Sequence, residues 1–217
     1  YSGVILSTFR TPILNYFGVH GLPIMLILVL LIAQISREMR LRIGTGFSIN
    51  RSVFGLKKLL LILLLVLVAW VFIRREMYLS VVLMGLAGLV IQQVIFRSKL
   101  LSHRFAGSMI VIALLIGIGV DLVTVKGDIG RMNTLFKFYL QAWVLFGIGT
   151  AYILWYLGST GVFKGMKQSW SRKSLAFLIA AFIFSASLYP IAALEPRLRD
   201  RFETTPLTLD GLRYMDT

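Results

Sequence analysis

Polar residues able to do chemistry crowd into one stretch of this sequence, Asp121 to Trp143, which reads DLVTVKGDIGRMNTLFKFYLQAW. Two carboxylates, Asp121 and Asp128, stand near three cations, Lys126, Arg131 and Lys137, in a chain that is otherwise strongly apolar. Such a set suits a phosphate or diphosphate group, because arginine grips phosphate through paired hydrogen bonds and lysine acts as a point charge. The Asp128 carboxylate could then act as general base toward an acceptor hydroxyl or contact a divalent cation, although no residue is assigned as a metal ligand. Asn133, Lys137 and Gln141 are spaced four apart and share one helix face. A stripe of that kind in an apolar helix turns toward protein or a water-filled cleft in preference to lipid. The same residues admit a structural account: Asp128 and Arg131 as an ion pair holding a loop, and Lys137 snorkelling to the interface from one turn inside the helix.

Other chemistries find no residues to carry them. The chain has no cysteine, which excludes disulfides and thiolate metal sites. Its two histidines, His20 and His103, are too far apart in sequence to form a local metal-binding pair. His20, beside Gly21 and near Pro23, is either a substrate contact or a structural hydrogen-bonder, and Arg10 has the same standing. Phosphate-binding P-loop, dinucleotide, HExxH and nucleophile-elbow patterns are all missing from the sequence.

The elements that must position the polar stretch are apolar runs. The chain is 58% hydrophobic with a mean hydropathy of +0.84, and several runs approach the ~20 residues that cross a bilayer. They do not alternate as barrel strands do. The expected fold is all-α, a polytopic transmembrane helix bundle of about six spans with both ends extracytoplasmic. Residues 1–21 form an interfacial or re-entrant outer segment, residues 22–194 the transmembrane domain, and residues 195–217 the start of an extracytoplasmic segment. The spans fall at about 22–35, 59–73, 77–96, 105–120, 134–157 and 174–194. Gly85, Ala87 and Gly88 in the third, and Gly147, Gly149 and Ala151 in the fifth, suit close helix packing. Pro190 should kink or end the last span. Gly127 and Gly130 break the chain before the fifth span, which opens at Asn133 or Thr134 as helix cap.

Charge orients the bundle. The loops after the first, third and fifth spans carry 13 Lys or Arg and one acid, Glu38; the opposite side carries nine bases and eight acids. The basic loops, the second of which contains His103, therefore face the cytoplasm. The net charge of +14 is explained by that asymmetry and implies no nucleic-acid partner. The expected setting is the plasma membrane, multi-pass, with membrane lipid as the first partner. The chain opens on Tyr1 with no signal peptide ahead of its first span, and is expected to be a portion of a longer polypeptide.

The segment KGDIGRMNTLFKFYLQAW, Lys126 to Trp143, closely resembles the signature of the YYY-domain membrane proteins of bacteria and archaea. In that family an RMNT-[VL]-FK-x-Y segment follows an outer loop and opens a transmembrane helix. TLDGLRYMD, Thr208 to Asp216, resembles the family's TLDG-x-x-YM stretch, in the same order and spacing. The family is similar in organisation to GT-C glycosyltransferases, multi-span enzymes that take a sugar from a polyprenyl-phosphate carrier at the outer face. The resemblance implies that Arg131 and Lys137 bind the carrier phosphate, that Asn133 and Gln141 support them, and that Asp128 contacts the sugar or a divalent metal. The carboxylate that serves as base in those enzymes usually lies in the first outer loop, and no segment of this chain matches it.

Three functions are compatible with the pattern. The first is such a transferase. The second is a non-catalytic structural or accessory subunit of a larger membrane complex, to which the leucine-rich second and third spans are suited. The third is a transporter lined by Asn133, Lys137 and Gln141. An outward-open cleft at the Asp128–Gln141 cluster favours the first, a cluster buried without a cavity the second, and a continuous polar path the third.

Overall fold

The computed structural model describes residues 3–44, 56–129, 131–159 and 169–201. In order these form strand β1 (Val4–Leu6), helix α1 (Ile13–Gly44), α2 (Leu56–Arg74), α3 (Tyr78–Val90) with a π-helical continuation (Ile91–Phe96), α4 (Leu101–Leu122), strand β2 (Val123–Val125), α5 (Met132–Ser159) and α6 (Ser169–Arg201). Five of these helical stretches are long and apolar enough to cross a membrane: 13–38, 78–96, 101–122, 132–159 and 176–200; the apolar part of α2, Leu63–Arg74, is shorter. The chain is a multi-pass, all-α membrane protein, as the apolar runs predict. It divides into two units, residues 1–165 and 166–217.

In the first unit α4 is the hub, packing on α3, its π-helical continuation and α5. Its buried residues include Ala106, Ile110, Ala113, Leu114, Gly117 and Asp121, three or four apart and hence on one stripe. Helices in lipid gain little by hiding apolar surface from one another and associate through close packing instead. The small residues of α4 and α5 supply it. A Cβ on Gly149 would stand 2.6 Å from Ile110 Cγ1, and one on Gly117 would stand 2.8 Å from the Tyr16 hydroxyl and 2.9 Å from Leu83 Cδ1. Of the other small residues expected at contacts, Ala87 is buried, whereas Gly85, Gly88 and Gly147 have open space beside them. The leucines of α2 from Leu63 to Leu67 are exposed, as befits a face turned to lipid.

Several boundaries differ from the sequence expectation. Helix α1 begins at Ile13, so the expected outer segment is already helical in its second half. The backbone leaves helical geometry at His20 (φ −114°, ψ 17°) and Pro23 lies inside the helix. Proline has no N–H and its ring displaces the carbonyl four residues earlier, which accounts for a kink here. His103 lies in α4, buried, and not in a loop. Residues 4–6 and 123–125 pair as a short antiparallel sheet, with Val4 opposite Val125 and Leu6 opposite Val123. In the second unit α6 runs through Pro190 and Pro196 to Arg201, so neither proline ends it. Residues 45–55 and 160–168, Gly130 and the TLDGLRYMD motif lie outside the described residues.

Glycine packing gives a direct check. Gly149→Ala should overpack the α4–α5 contact and cost about 1–3 kcal/mol, whereas Gly147→Ala, two positions away with open space, should be close to neutral. Thermal unfolding of the two variants in detergent measures the difference.

Candidate functional site

The polar stretch singled out by the sequence lies where α4 ends and α5 begins, and the structure splits it into two arrangements. The first is buried. Asp121, the penultimate residue of α4, and Arg131 are both nearly inaccessible, with relative exposures of 0% and 5%. Arg131 Nη1 lies 3.2 Å from Asp121 Oδ1. The same nitrogen donates to the carbonyls of Phe9 and Val120 at 3.2 Å, and Nη2 donates to Thr11 Oγ1 at 2.9 Å. Asp121 in turn accepts from the Thr11 main-chain N–H at 2.9 Å and from the Ser80 hydroxyl at 3.3 Å. One ion pair thus joins the segment before α1, the start of α3, the end of α4 and the start of α5. Arg10 reinforces it, donating to the carbonyls of Ser7, Phe9, Asp121 and Arg75.

Local backbone explains why Arg131 points inward. Its carbonyl accepts from Leu135 N, which makes it the residue that opens α5, and its φ is +72°. Left-handed backbone is costly for a residue with a Cβ and persists where surrounding contacts over-determine it. The sequence reading offered Arg131 to a phosphate. The structure instead spends its guanidinium on protein acceptors, because a buried cation must be paired and hydrogen-bonded to be tolerated.

The second arrangement is the α5 cap. Asp128 Oδ1 accepts from Asn133 N at 3.0 Å; Oδ2 accepts from Thr134 N at 2.8 Å and from the Thr134 hydroxyl at 2.6 Å. These amides are among the first-turn donors that no helical carbonyl reaches. The expected cap residues Asn133 and Thr134 are therefore capped, and Asp128 does the capping from outside the helix. The Thr134 hydroxyl, helped by the main-chain N–H groups of Thr134, Asn133 and Ile129 and against the push of partial burial, holds the Asp128 carboxyl down to about 2. Asp128 and Arg131 do not pair with each other.

Of the remaining predicted residues, Lys137 and Gln141 lie on the exposed side of α5 and Asn133 is half-buried. Phe136, Leu140, Trp143 and Val144 are exposed on the same helix. Among the described residues no group of three or more His, Cys, Asp or Glu is placed to hold a metal ion. His20 is fully buried among aromatic rings, 4.7 Å from the Tyr16 ring, 5.4 Å from Tyr139 and 5.3 Å from Phe146, so it is no surface contact for substrate.

Beside the ion pair lies a feature the sequence did not announce. A cleft of about 550 Å³ opens between the segment before α1 and the α2–α3 turn, lined by Leu6, Arg10, Val71, Phe72, Arg75 and Asp121 among others. Of the 121–143 stretch only Asp121 and Leu122 reach it; its other walls come from residues 6–10 and 71–77, where Arg10 and the basic pair Arg74–Arg75 were the cations visible in the sequence.

Comparison with known proteins agrees with this architecture. Residues 1–146 match the family described as Uncharacterized membrane protein (DUF2298), and the chain belongs to that family. No curated protein and no solved structure matches it.

The cap makes a pH prediction. The Asp128 carboxyl lies below its ordinary value of 3.8 in the folded chain, so its stabilisation of α5 is complete above that value and is lost as pH falls toward about 2. Hydrogen exchange at the amides of Asn133 and Thr134 should be slow at neutral pH and speed up across that acid window beyond the intrinsic trend. In Asp128→Ala it should be fast at neutral pH already.

Proposed function

We propose that this chain binds a lipid-linked phosphate at the outer face of the membrane, as the membrane-embedded part of a transferase with GT-C-like organisation that takes a sugar from a polyprenyl-phosphate carrier. The observation that carries the proposal is the cleft beside Asp121. Its volume of about 550 Å³ lies in the range of small-ligand sites. Leu6, Val71, Phe72 and Met77 give it apolar walls, and Arg10 and Arg75 bring cations to it. An isoprenoid phosphate needs both. The acid-rich end of the bundle, where the cleft lies, is the outer end by the charge rule.

Within this proposal the roles shift from those the resemblance implies. Arg10 is committed to four main-chain carbonyls. The Arg75 side chain is exposed and lines the cleft, and it is the first phosphate contact. Lys137 is a second cation on the exposed side of α5, with Asn133 and Gln141 beside it as supporting polar groups. Arg131 is a positioning residue: it fixes Asp121 and the segment from Ser7 to Thr11, and so sets the cleft's shape. Asp128 and Asp121 are both engaged in protein hydrogen bonds, so neither is the base of the transfer. A divalent metal, if the reaction uses one, would be carried by the substrate phosphate and not by a protein cage.

One observation favours a second reading, an accessory subunit of a membrane complex. The exposed side of α5 combines Phe136, Leu140, Trp143 and Val144 with Lys137 and Gln141, a surface suited to a partner helix that supplies polar groups of its own.

Native mass spectrometry with added polyprenyl phosphate separates the two. Wild type should retain the lipid, and Arg75→Ala should weaken retention about tenfold or more, the scale of a lost hydrogen bond to a charged group. Lys137→Ala should lose less. If wild type retains none, or both variants retain it as wild type does, the accessory-subunit reading takes its place.

A further inference from the structure

The opposite end of the bundle carries a larger cleft, of about 780 Å³, between α1, the π-helical segment, the α3–α4 connection and α5. Arg37, Arg97, Lys99 and Glu38 line it, together with Gln34 and His103. Three fixed cations against one carboxylate leave its lining positive. Two of the charges are structural: Arg97 pairs with Glu38 and donates to Gln93 Oε1 at 3.3 Å, strapping α1 to the π-helical segment. Arg37 and Lys99 are exposed, and neither has a side-chain partner among the described residues.

The inner end of the cleft is built for hydrogen bonding. His103 Nδ1 lies 2.7 Å from the Tyr152 hydroxyl and His103 Nε2 lies 3.4 Å from the Gln34 amide nitrogen. The Gln34 carbonyl oxygen is buried with no partner. When the Tyr152 hydroxyl donates to Nδ1, Nε2 carries the proton. The Gln34 amide then turns its oxygen to His103, which pairs both ring nitrogens and the Tyr152 hydroxyl, and its NH₂ takes the unpartnered place as a donor. In addition α4 begins at Leu101 with no side chain capping its first-turn amides, so the partial positive charge of a long helix adds to the same place. The π-helical turn next to it is of the kind often found at functional positions.

The surroundings identify the anion. Phe96, Leu100 and Leu101 are exposed at 76%, 57% and 80%, directly flanking Arg97, Ser98 and Lys99. Apolar side chains flanking cations at a membrane boundary match a phospholipid, with acyl chains over the first and phosphate over the second. Basic pockets between helices on the cytoplasmic side are the usual setting for anionic headgroups, and this is the cytoplasmic end by charge. We infer that this cleft binds the phosphate headgroup of an anionic phospholipid of the cytoplasmic leaflet, held by Arg37 and Lys99 with the Gln34 amide behind them. The site is independent of the cleft at the other end.

The full chain is reconstituted in nanodiscs of phosphatidylglycerol and phosphatidylcholine, extracted, and its retained lipids counted by native mass spectrometry. Wild type should retain phosphatidylglycerol selectively. Removing a surface cation changes lipid attraction about fivefold, so Arg37→Ala with Lys99→Ala should cut retention by about 25-fold on the same scale. Lys173→Ala, a cation that does not line the cleft, should leave it unchanged. Thermal unfolding of the double variant shows that it is folded, as the exposure of both side chains implies. Equal retention of the two lipids, retention unaffected in the double variant, or equal loss in Lys173→Ala overturns the inference. So does displacement of the lipid by inorganic phosphate, which would make this a soluble-anion site.

Discussion

The end of the bundle where α4 meets α5 depends on one buried ion pair, Asp121 with Arg131. Two charges taken out of water cost several kcal/mol each, more than a single Coulomb contact returns unless every remaining donor and acceptor is matched. Here they nearly are. Asp121 accepts from Thr11 and Ser80 as well as Arg131, and Arg131 donates to Phe9, Val120 and Thr11 as well as Asp121. Those partners come from the segment before α1 (Phe9 and Thr11), from α3 (Ser80) and from the end of α4 (Val120), so satisfying the charges requires these segments to meet. The positive φ of Arg131, worth about 1–3 kcal/mol of strain, is kept because it is what aims the guanidinium inward.

The same constraint explains why the proposed phosphate contact is placed beside the conspicuous motif and not at its centre. A buried guanidinium whose two terminal nitrogens are both held by protein acceptors shapes a site but does not grip a ligand. The residues it fixes, from Ser7 to Thr11 and the end of α4, form the wall of the cleft to which Arg75 contributes its charge. At the far end the bundle is organised differently. There the polar groups are a His103–Tyr152–Gln34 cluster and a strap from Arg97 to Glu38, with cations left at the surface. The two ends thus offer two clefts with different chemistry.

Much of the fold was legible because membrane spans announce themselves through long apolar runs, and α3, α4 and α5 lie close to where those runs predict. The start of α1 was not, because Tyr16, His20 and Pro23 make its first turns look like a loop; aromatic packing against Tyr139 and Phe146 overrides that local signal. The strand pair was illegible because its two halves are three residues each and far apart in sequence. In the site, the sequence marked the stretch where the buried ion pair and the α5 cap lie, and paired its charges wrongly. Asp128 and Arg131 are near neighbours on paper, and only the left-handed turn at Arg131 sends one to Asp121 and leaves the other to cap α5. An acid closing an apolar run, as Asp121 does, was the available signal for a buried partner. Nothing local marked Arg75 as lining a cleft, since its walls come from segments that only the fold brings together.

A double-mutant cycle on Asp121 and Arg131, read by thermal or denaturant unfolding in detergent, tests the central claim most directly. If the pair is the buried strut described here, Asp121→Leu and Arg131→Met should each cost on the order of 3–5 kcal/mol, because each strands the other charge, and the double variant should cost far less than their sum. Single variants that are nearly neutral, or costs that simply add, would contradict it and return Arg131 to the surface as a cation open to ligand.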